Sequence, residues 1–269
     1  MEIISSSQND KVKYLNKLYR SRNRRREGVF ILEGKRLIEA ALAGGADFKQ
    51  VFLTPAFFKS AANDNLLADL KLKADFIYLE EELLKETAST VNPQGILAVV
   101  KESVFKGDDF YQQADKILLL DRIQDPGNMG TMIRTAVAAG FDGIIALKGS
   151  VDIYNQKVIR ATMGGIFSIA IRQKLSQQEF LSEIEAEAAD YELLAADIEA
   201  EEYHFEHQYQ KKLILMIGNE ANGLDQNLLA AATSKIKIPL AGEIESLNAA
   251  VAASVISFEI LSRSLKKDS

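Results

Sequence analysis

Short apolar runs rich in Val, Ile and Leu alternate along the whole chain with segments of helical period, and this alternation constrains the fold more than any single residue does. Repeated exchange of strand and helix patterns predicts α/β units built on a mostly parallel sheet. In the first half the runs place strands near residues 29–32, 50–53, 76–79 and 95–100, with helices between them. The helix expected over 35–43 stops at Gly44-Gly45, where glycine takes left-handed geometry cheaply. A polar stretch over 101–115 then separates these units from a new apolar run that begins at Lys116, and the domain boundary is expected there. The expected organisation is a first domain over 1–103, a linker over 104–115 and a second domain over 116–269. In the second domain the pattern predicts strands at 117–121, 143–147, 166–171, 192–196, 212–217 and 235–239. Helices are expected at 129–139, 155–163, 177–189, 224–232 and 246–265.

At 269 residues with 47% hydrophobic content, the chain can bury the cores that two such domains need. It has no cysteine, so disulfides, a thiolate nucleophile and Cys-ligated zinc are excluded. The start, Met1-Glu-Ile-Ile-Ser-Ser-Ser-Gln, shows no basic segment followed by an apolar run, and no apolar stretch reaches membrane-spanning length. A soluble, cytoplasmic protein is expected. The net charge of −6 would disfavour a nucleic-acid partner if it were evenly spread. Residues 1–36, however, hold ten Lys or Arg against four acids, while residues 176–210 hold eleven acids and no Lys or Arg. The Arg20 to Arg26 run reads equally well as a solvated helix end and as an RNA-binding face.

Several chemistries are missing. His204 and His207 are the only histidines and lie in an acidic stretch, so a Ser-His-Asp triad would have to borrow from an expected surface loop. His-x-x-His can chelate a metal, but a solvated loop is the better reading, and no metal site is expected. Neither a Gly-x-x-x-x-Gly-Lys-Ser/Thr loop nor a Gly-x-Gly-x-x-Gly turn is present, which removes the common phosphate and dinucleotide cradles.

What stands out is three junctions where an apolar strand runs into polar residues and glycine, the position at which open α/β sheets bind ligands. The first runs from Leu120-Asp121-Arg122 through Asp125-Pro-Gly to Asn128 and Arg134. Asn128 suits a helix cap, and Arg134, set among apolar and small neighbours, needs partners, for which phosphate fits its planar fork. The second is Ile217-Gly-Asn-Glu-Ala-Asn-Gly-Leu, where Gly218 and Gly223 bracket a polar turn containing Asn219 and Glu220. The third runs from Ile238-Pro-Leu240 to Ser246-Leu247-Asn248, followed by a helix rich in alanine. Taken singly, these are a cap with an ion-paired arginine, a tight turn and a packing helix.

In order and spacing together, the three junctions resemble the three sequence motifs of the SpoU, or TrmH-like, branch of the SPOUT methyltransferases. Val91-Asn-Pro-Gln-Gly-Ile-Leu-Ala and Lys157…Arg160-Ala-Thr-Met-Gly-Gly are further matches, and the resemblance covers roughly residues 25–262. It implies a C-terminal α/β trefoil-knot domain preceded by a smaller L30e-like α/β domain that binds RNA. It implies S-adenosylmethionine as cofactor, a homodimer formed through the knotted domain, and no metal. The cofactor would meet Gly218, Asn219, Glu220, Gly223, Ile238, Leu240, Leu247 and Asn248. Catalysis would fall to Arg134, Asn128, Glu220, Ser246 and Asn248. RNA would be held by Lys11, Lys13, Arg20, Arg22, Arg24, Arg25, Arg26, Lys35 and Arg36.

The implied reaction is methyl transfer to a ribose 2′-hydroxyl of structured RNA, with large-subunit (23S) rRNA the favoured target. A tRNA target and an inactive RNA-binding or ribosome-assembly protein are the alternatives. A guanidinium stays protonated at ordinary pH, so Arg134 is expected to hold a phosphate and stabilise developing alkoxide charge rather than remove a proton.

Overall fold

The computed structural model describes residues 2–102 and 109–267, which form two compact units. The expected linker over 104–115 thus lies partly outside the described residues. In chain order the first stretch holds β1 (Ile3–Ile4), α1 (Asp10–Leu18), α2 (Ser21–Glu27), β2 (Val29–Glu33), α3 (Lys35–Ala43), β3 (Phe48–Leu53), α4 (Pro55–Lys59), α5 (Asp64–Lys71), β4 (Asp75–Leu79), α6 (Glu81–Thr87) and β5 (Ile96–Lys101). The second holds α7 (Phe110–Gln113), β6 (Lys116–Leu120), α8 (Pro126–Ala138), β7 (Gly143–Leu147), α9 (Gln156–Thr162), β8 (Ala170–Leu175), α10 (Gln177–Glu187), β9 (Glu192–Ala196), β10 (Glu202–Tyr203), β11 (Leu213–Ile217), α11 (Gln226–Ala231), β12 (Ser234–Lys237) and α12 (Ala249–Lys267).

Unit 1 comprises residues 1–103 and 154–167. Its five-stranded sheet has the order β1-β4-β3-β5-β2 and is mixed, since β5 runs antiparallel to both neighbours. Val12, Leu15 and Leu18 of α1, spaced three apart on one helix face, pack with Ile31, Phe52 and Leu97 of the sheet. The inclusion of 154–167 departs from the expectation of a continuous second domain. The segment is held by apolar and polar contacts: Tyr154 stacks on Phe30 with ring centroids 4.4 Å apart, and Gln156 donates to the Ile31 carbonyl at 2.9 Å.

Unit 2 carries a seven-stranded sheet of order β10-β12-β9-β11-β6-β7-β8, parallel at every pairing. All five residues of the central β11 are buried, which explains its unbroken Leu-Ile-Leu-Met-Ile run. Phe110 and Tyr111 of α7 belong to this core, so the end of the expected linker is part of the domain.

One strand was misplaced. Residues 166–171 were expected to form it, but Gly165–Phe167 is a 3-10 turn and the strand is Ala170–Leu175. β8 lies at the sheet edge and carries Arg172, Gln173 and Lys174, so its sequence lacks the apolar run that marks the central strands.

Candidate active site

In a parallel sheet every strand ends on the same edge, so the residues that follow β6, β9, β11 and β12 emerge side by side. The pairings Leu120 with Ile217, Ala195 with Met216 and Ala196 with Ile236 set these exits level. All three polar junctions recognised in the sequence open on that edge.

The turn after β11 is closed by backbone hydrogen bonds in both directions between Asn219 and Gly223, at 3.1 and 2.8 Å. The Asn219 Oδ1 accepts from the N–H groups of Ala221 (2.9 Å) and Asn222 (3.2 Å), tightening the turn from inside. Its two glycines are required for different reasons. A Cβ on Gly218 would lie 2.2 Å from the backbone of Gly223 and Leu224, whereas Gly223 itself has φ +63°.

Beside this turn lies a cleft of ≈ 860 Å³, walled by the 218–224 turn, by Ser246 and Leu247, and by Asp197 and Glu199 after β9. Its lining includes backbone, the apolar side chains of Ile217, Leu229 and Leu247, and the carboxylates Glu220 and Glu245. A neighbouring cavity of ≈ 90 Å³ shares Ser246 and Leu247 and adds Ile238 and Leu240. Of the residues expected at a cofactor, Gly218, Asn219, Glu220, Gly223 and Leu247 therefore border the larger cleft and Ile238 and Leu240 the smaller one.

Asn128 was expected to cap α8, and here the structure differs. The helix starts at Pro126, and the Asp125 Oδ1 accepts from the Asn128 N–H at 2.7 Å. Pro126 suits the first helical position because its missing N–H would have no partner there. The Asn128 side chain is left for another use: it donates to Glu220 Oε1 at 2.5 Å and accepts at Oδ1 from Asn248 Nδ2 at 3.0 Å. Asn248 in turn caps α12, its Oδ1 accepting from Ala250 (2.9 Å) and Val251 (3.2 Å). One hydrogen-bonded chain, Asn248 to Asn128 to Glu220, thus ties the three junctions together. Buried Ala250 and Ala253 let α12 approach closely, and Thr135 of α8 meets Ser254 of α12 at 3.0 Å between hydroxyls.

Arg134 is not drawn into this chain. It lies on the exposed line of α8 with Gly127, Thr131 and Ala138, while Met132, Ile133, Thr135 and Ala136 face inward. It makes no hydrogen bond or ion pair with any described residue. The reading of Arg134 as an ion-paired arginine thus finds no partner among the described residues: helical geometry turns the guanidinium out to solvent, where it is available to a ligand such as phosphate.

Three acidic residues at the strand exits were not among the expected site residues. Asp121, fully buried directly after β6, pairs with Arg122 at 2.8 Å, and that bond raises the Arg122 pKa further. Asp197 and Glu199 were read only as part of an acidic surface tract, although the end of the correctly expected 192–196 strand pointed to them. His207 also departs from expectation. Instead of a solvated loop, its ring is nearly enclosed between Glu192 (2.7 Å) and Glu202 (2.9 Å). Among the described residues no group of three or more potential metal ligands is present, and no helix is long and apolar enough to cross a membrane.

The model of the SpoU rRNA Methylase family matches residues 115–258, more than half of the chain. The chain belongs to the SpoU rRNA methylase family. The MRM3-like substrate binding domain model matches residues 9–98. Bacillus subtilis 23S rRNA (guanosine(2553)-2′-O)-methyltransferase RlmP is 31% identical over 260 residues, spanning 97% of this chain and 99% of its own. The SpoU methyltransferase AviRb of Streptomyces viridochromogenes, solved in complex with the cofactor AdoMet, superposes with a TM-score of 0.88 at 28% identity, covering 96% of this chain and 99% of that one. An AdoMet-bound rRNA methyltransferase from Sinorhizobium meliloti superposes at 0.87 and 28% identity, covering 98% of both chains.

In this SpoU chain the matched substrate-binding span contains the basic N-terminal residues, and they divide into two kinds. Lys11, Lys13, Arg20, Arg22, Arg25 and Arg36 are exposed, and Arg26 is exposed beside Glu27 at 2.8 Å. Arg24 is 2% exposed and donates to the carbonyls of Leu18 and Tyr19 at the end of α1, at 3.1 and 2.8 Å. It is a structural cap and leaves the set expected to face RNA. Lys35 is half-buried, with its Nζ on the Ala62 carbonyl (2.6 Å) and Asn63 Oδ1 (3.0 Å), and it too serves the fold.

Proposed function

We propose that this protein is an S-adenosylmethionine-dependent 2′-O-methyltransferase that modifies a ribose of large-subunit ribosomal RNA and works in the cytoplasm as a homodimer. The observation that carries this reading is the Asn248–Asn128–Glu220 chain, which ties all three junctions to the Glu220 wall of one cleft. The cleft suits the cofactor chemically. Backbone groups of the 218–223 turn and apolar walls match an adenosyl group, and Asp197, Glu199, Glu220 and Glu245 offset a ligand's positive charge. Gly218, Leu247 and Ile238 would hold it, with Asn219 and Gly223 fixing the turn. When bound, the cofactor supplies a methyl group on a sulfonium, which is already a good leaving group.

The remaining work is to align the ribose oxygen and stabilise its loss of a proton. Asn128, Ser246 and Asn248 would orient the ribose, with Glu220 fixing Asn128. Solvent-facing Arg134 would hold the adjacent phosphate and steady the alkoxide as a permanent cation. The 2′-hydroxyl is the group that separates RNA from DNA. The exposed cations of α1 and α2 supply the charge for backbone contacts.

Val251, Val255 and Phe258 form an exposed apolar stripe at i, i+4 and i+7 on α12, and this supports the dimer. The knot is part of the proposal. Its support is the sheet order, in which β12 lies beyond β9 from β11 while α12 returns to pack on α8. The choice of large-subunit rRNA rests on the RlmP match across both halves of the chain.

The test is methyl transfer from labelled S-adenosylmethionine to ribosomal RNA, with 2′-O-methyl sites mapped in cells with and without the gene. Arg134→Ala is expected to lower the rate at least ~100-fold while cofactor affinity holds, the size seen when one charge-stabilising donor is removed. A variant close to full activity rejects the role of Arg134.

A further inference from the structure

β6 ends at a pair of residues that border neither cavity yet touch the cofactor turn from behind. Asp121 has no exposed side-chain surface, and its carboxylate gathers four donors: Arg122 Nε, Arg122 Nη2, Gln177 Nε2 and the Asp225 N–H. The Asp225 contact, at 3.0 Å, fixes the residue that caps α11. Arg122 is bound to the turn twice. Its Nη2 donates to the Gly223 carbonyl at 3.3 Å, and its own carbonyl accepts from Asn219 Nδ2 at 3.0 Å.

The backbone conformation of Arg122 shows how unusual this arrangement is. Its φ is +55°, a region that side-chain-bearing residues rarely adopt. Strain of this kind persists where surrounding contacts over-determine it, and it gathers at functional sites. Space has also been kept for the side chain: a Cβ on Gly149 would lie 3.0 Å from Arg122 Cγ. The left-handed turn folds the guanidinium back onto Asp121, and the Nη2 that bonds Asp121 also reaches the Gly223 carbonyl.

From these contacts we infer that Asp121 and Arg122 are positioning residues that clamp the 218–224 turn and so set the shape of the cofactor cleft. The inference rests on the cleft being the S-adenosylmethionine site. Gly223 is the closing residue of the turn, and its carbonyl is held by the Asn219 N–H inside the turn and by Arg122 outside it. The same turn presents Glu220, which holds Asn128. A turn released from Arg122 keeps its own two backbone bonds but loses its fixed place against β6. Both the cleft wall and the Glu220 contact then become mobile. Arg122 thus acts through Gly223 and Asn219, without touching the ligand.

The left-handed backbone supplies a clean test. Arg122→Gly removes the clamp while giving position 122 the residue best suited to φ +55°, so the backbone keeps its turn, although Asp121 loses its ion pair. Calorimetry with S-adenosylmethionine on the full chain is expected to show Kd weakened about 10-fold in Arg122→Gly, the effect of losing a charge-assisted hydrogen bond. The ligand-free thermal midpoint is expected to fall, because buried Asp121 loses its cationic partner, so the two affinities are compared well below both midpoints. Arg122→Lys, which keeps a charge near Asp121 but loses the forked geometry, is expected to fall between the two.

Amide exchange over residues 218–224 should quicken in Arg122→Gly and be unchanged over β7, a pattern that general destabilisation does not produce. Wild-type affinity in Arg122→Gly overturns the clamp, as does a lowered thermal midpoint with unchanged Kd. Absence of cofactor binding by the wild-type protein rejects the functional reading and the clamp with it. Normal wild-type binding with an unaffected glycine variant rejects the clamp alone.

Discussion

The two sheets use their polar residues in opposite ways. In the seven-stranded sheet every pairing is parallel, so the strand exits share one edge; polar residues after β9, β11 and β12 line a single cleft, and those after β6 brace its turn. In the five-stranded sheet β5 runs against its neighbours, and polar side chains there hold individual loops. Buried Glu33 accepts from the Ser89 and Thr90 N–H groups at 2.9 and 3.1 Å and from the Tyr19 hydroxyl at 2.9 Å. Burial, reinforced by Glu33, drives the Tyr19 pKa upward and keeps that hydroxyl a donor. Gln94 Oε1 accepts from the Lys35 N–H at 2.8 Å and so covers the start of α3. Parallel strands concentrate chemistry; mixed strands spread it into scaffolding.

This contrast can be broken by substitution. The largest effect is expected from Gly218→Ala, because the added methyl meets backbone at 2.2 Å and no side chain can move aside. The turn must open, and cofactor affinity should fall by about 2–3 kcal/mol, the upper end for forced overpacking; calorimetry with S-adenosylmethionine measures it, and an unchanged Kd refutes the cleft assignment. A stability loss of similar or smaller size is expected in unit 1 from Glu33→Ala, about 2 kcal/mol by denaturant titration, since two N–H groups and a hydroxyl lose their acceptor. Cofactor affinity should not follow, and a parallel loss of binding would erase the contrast between the sheets. The smallest effect is expected from Arg25→Ala: RNA binding weakened by about 1 kcal/mol or less, with the slope of log affinity against log salt reduced by roughly one. Arg24→Ala should instead lower stability without that change in slope, because its guanidinium caps α1.

The features legible in the sequence were those written in apolar runs and turn residues. β7 and β9 fall where the runs put them, and α3 closes at Gly44 as its double glycine implies. The Gly218–Gly223 turn was legible because only glycine meets its close approach and positive φ. Illegible features depend on which side of an element faces its neighbour. Arg24 sits among four arginines of one short helix, and only the packing of α2 on α1 singles it out. Likewise nothing in the composition around Arg122 signals a left-handed arginine, and β8 is too rich in charge to resemble its buried neighbours.

The bond between Asn248 and Asn128 spans 120 positions of sequence, and the one between Asn128 and Glu220 spans 92. Such distant contacts form late and together, after the loops between them have closed. During synthesis, therefore, the first junction emerges long before its partners and has no cleft to border until α12 arrives. The Asn248–Asn128 bond is in this sense a completion signal: a chain halted before Asn248 retains α8 but has neither that bond nor α12.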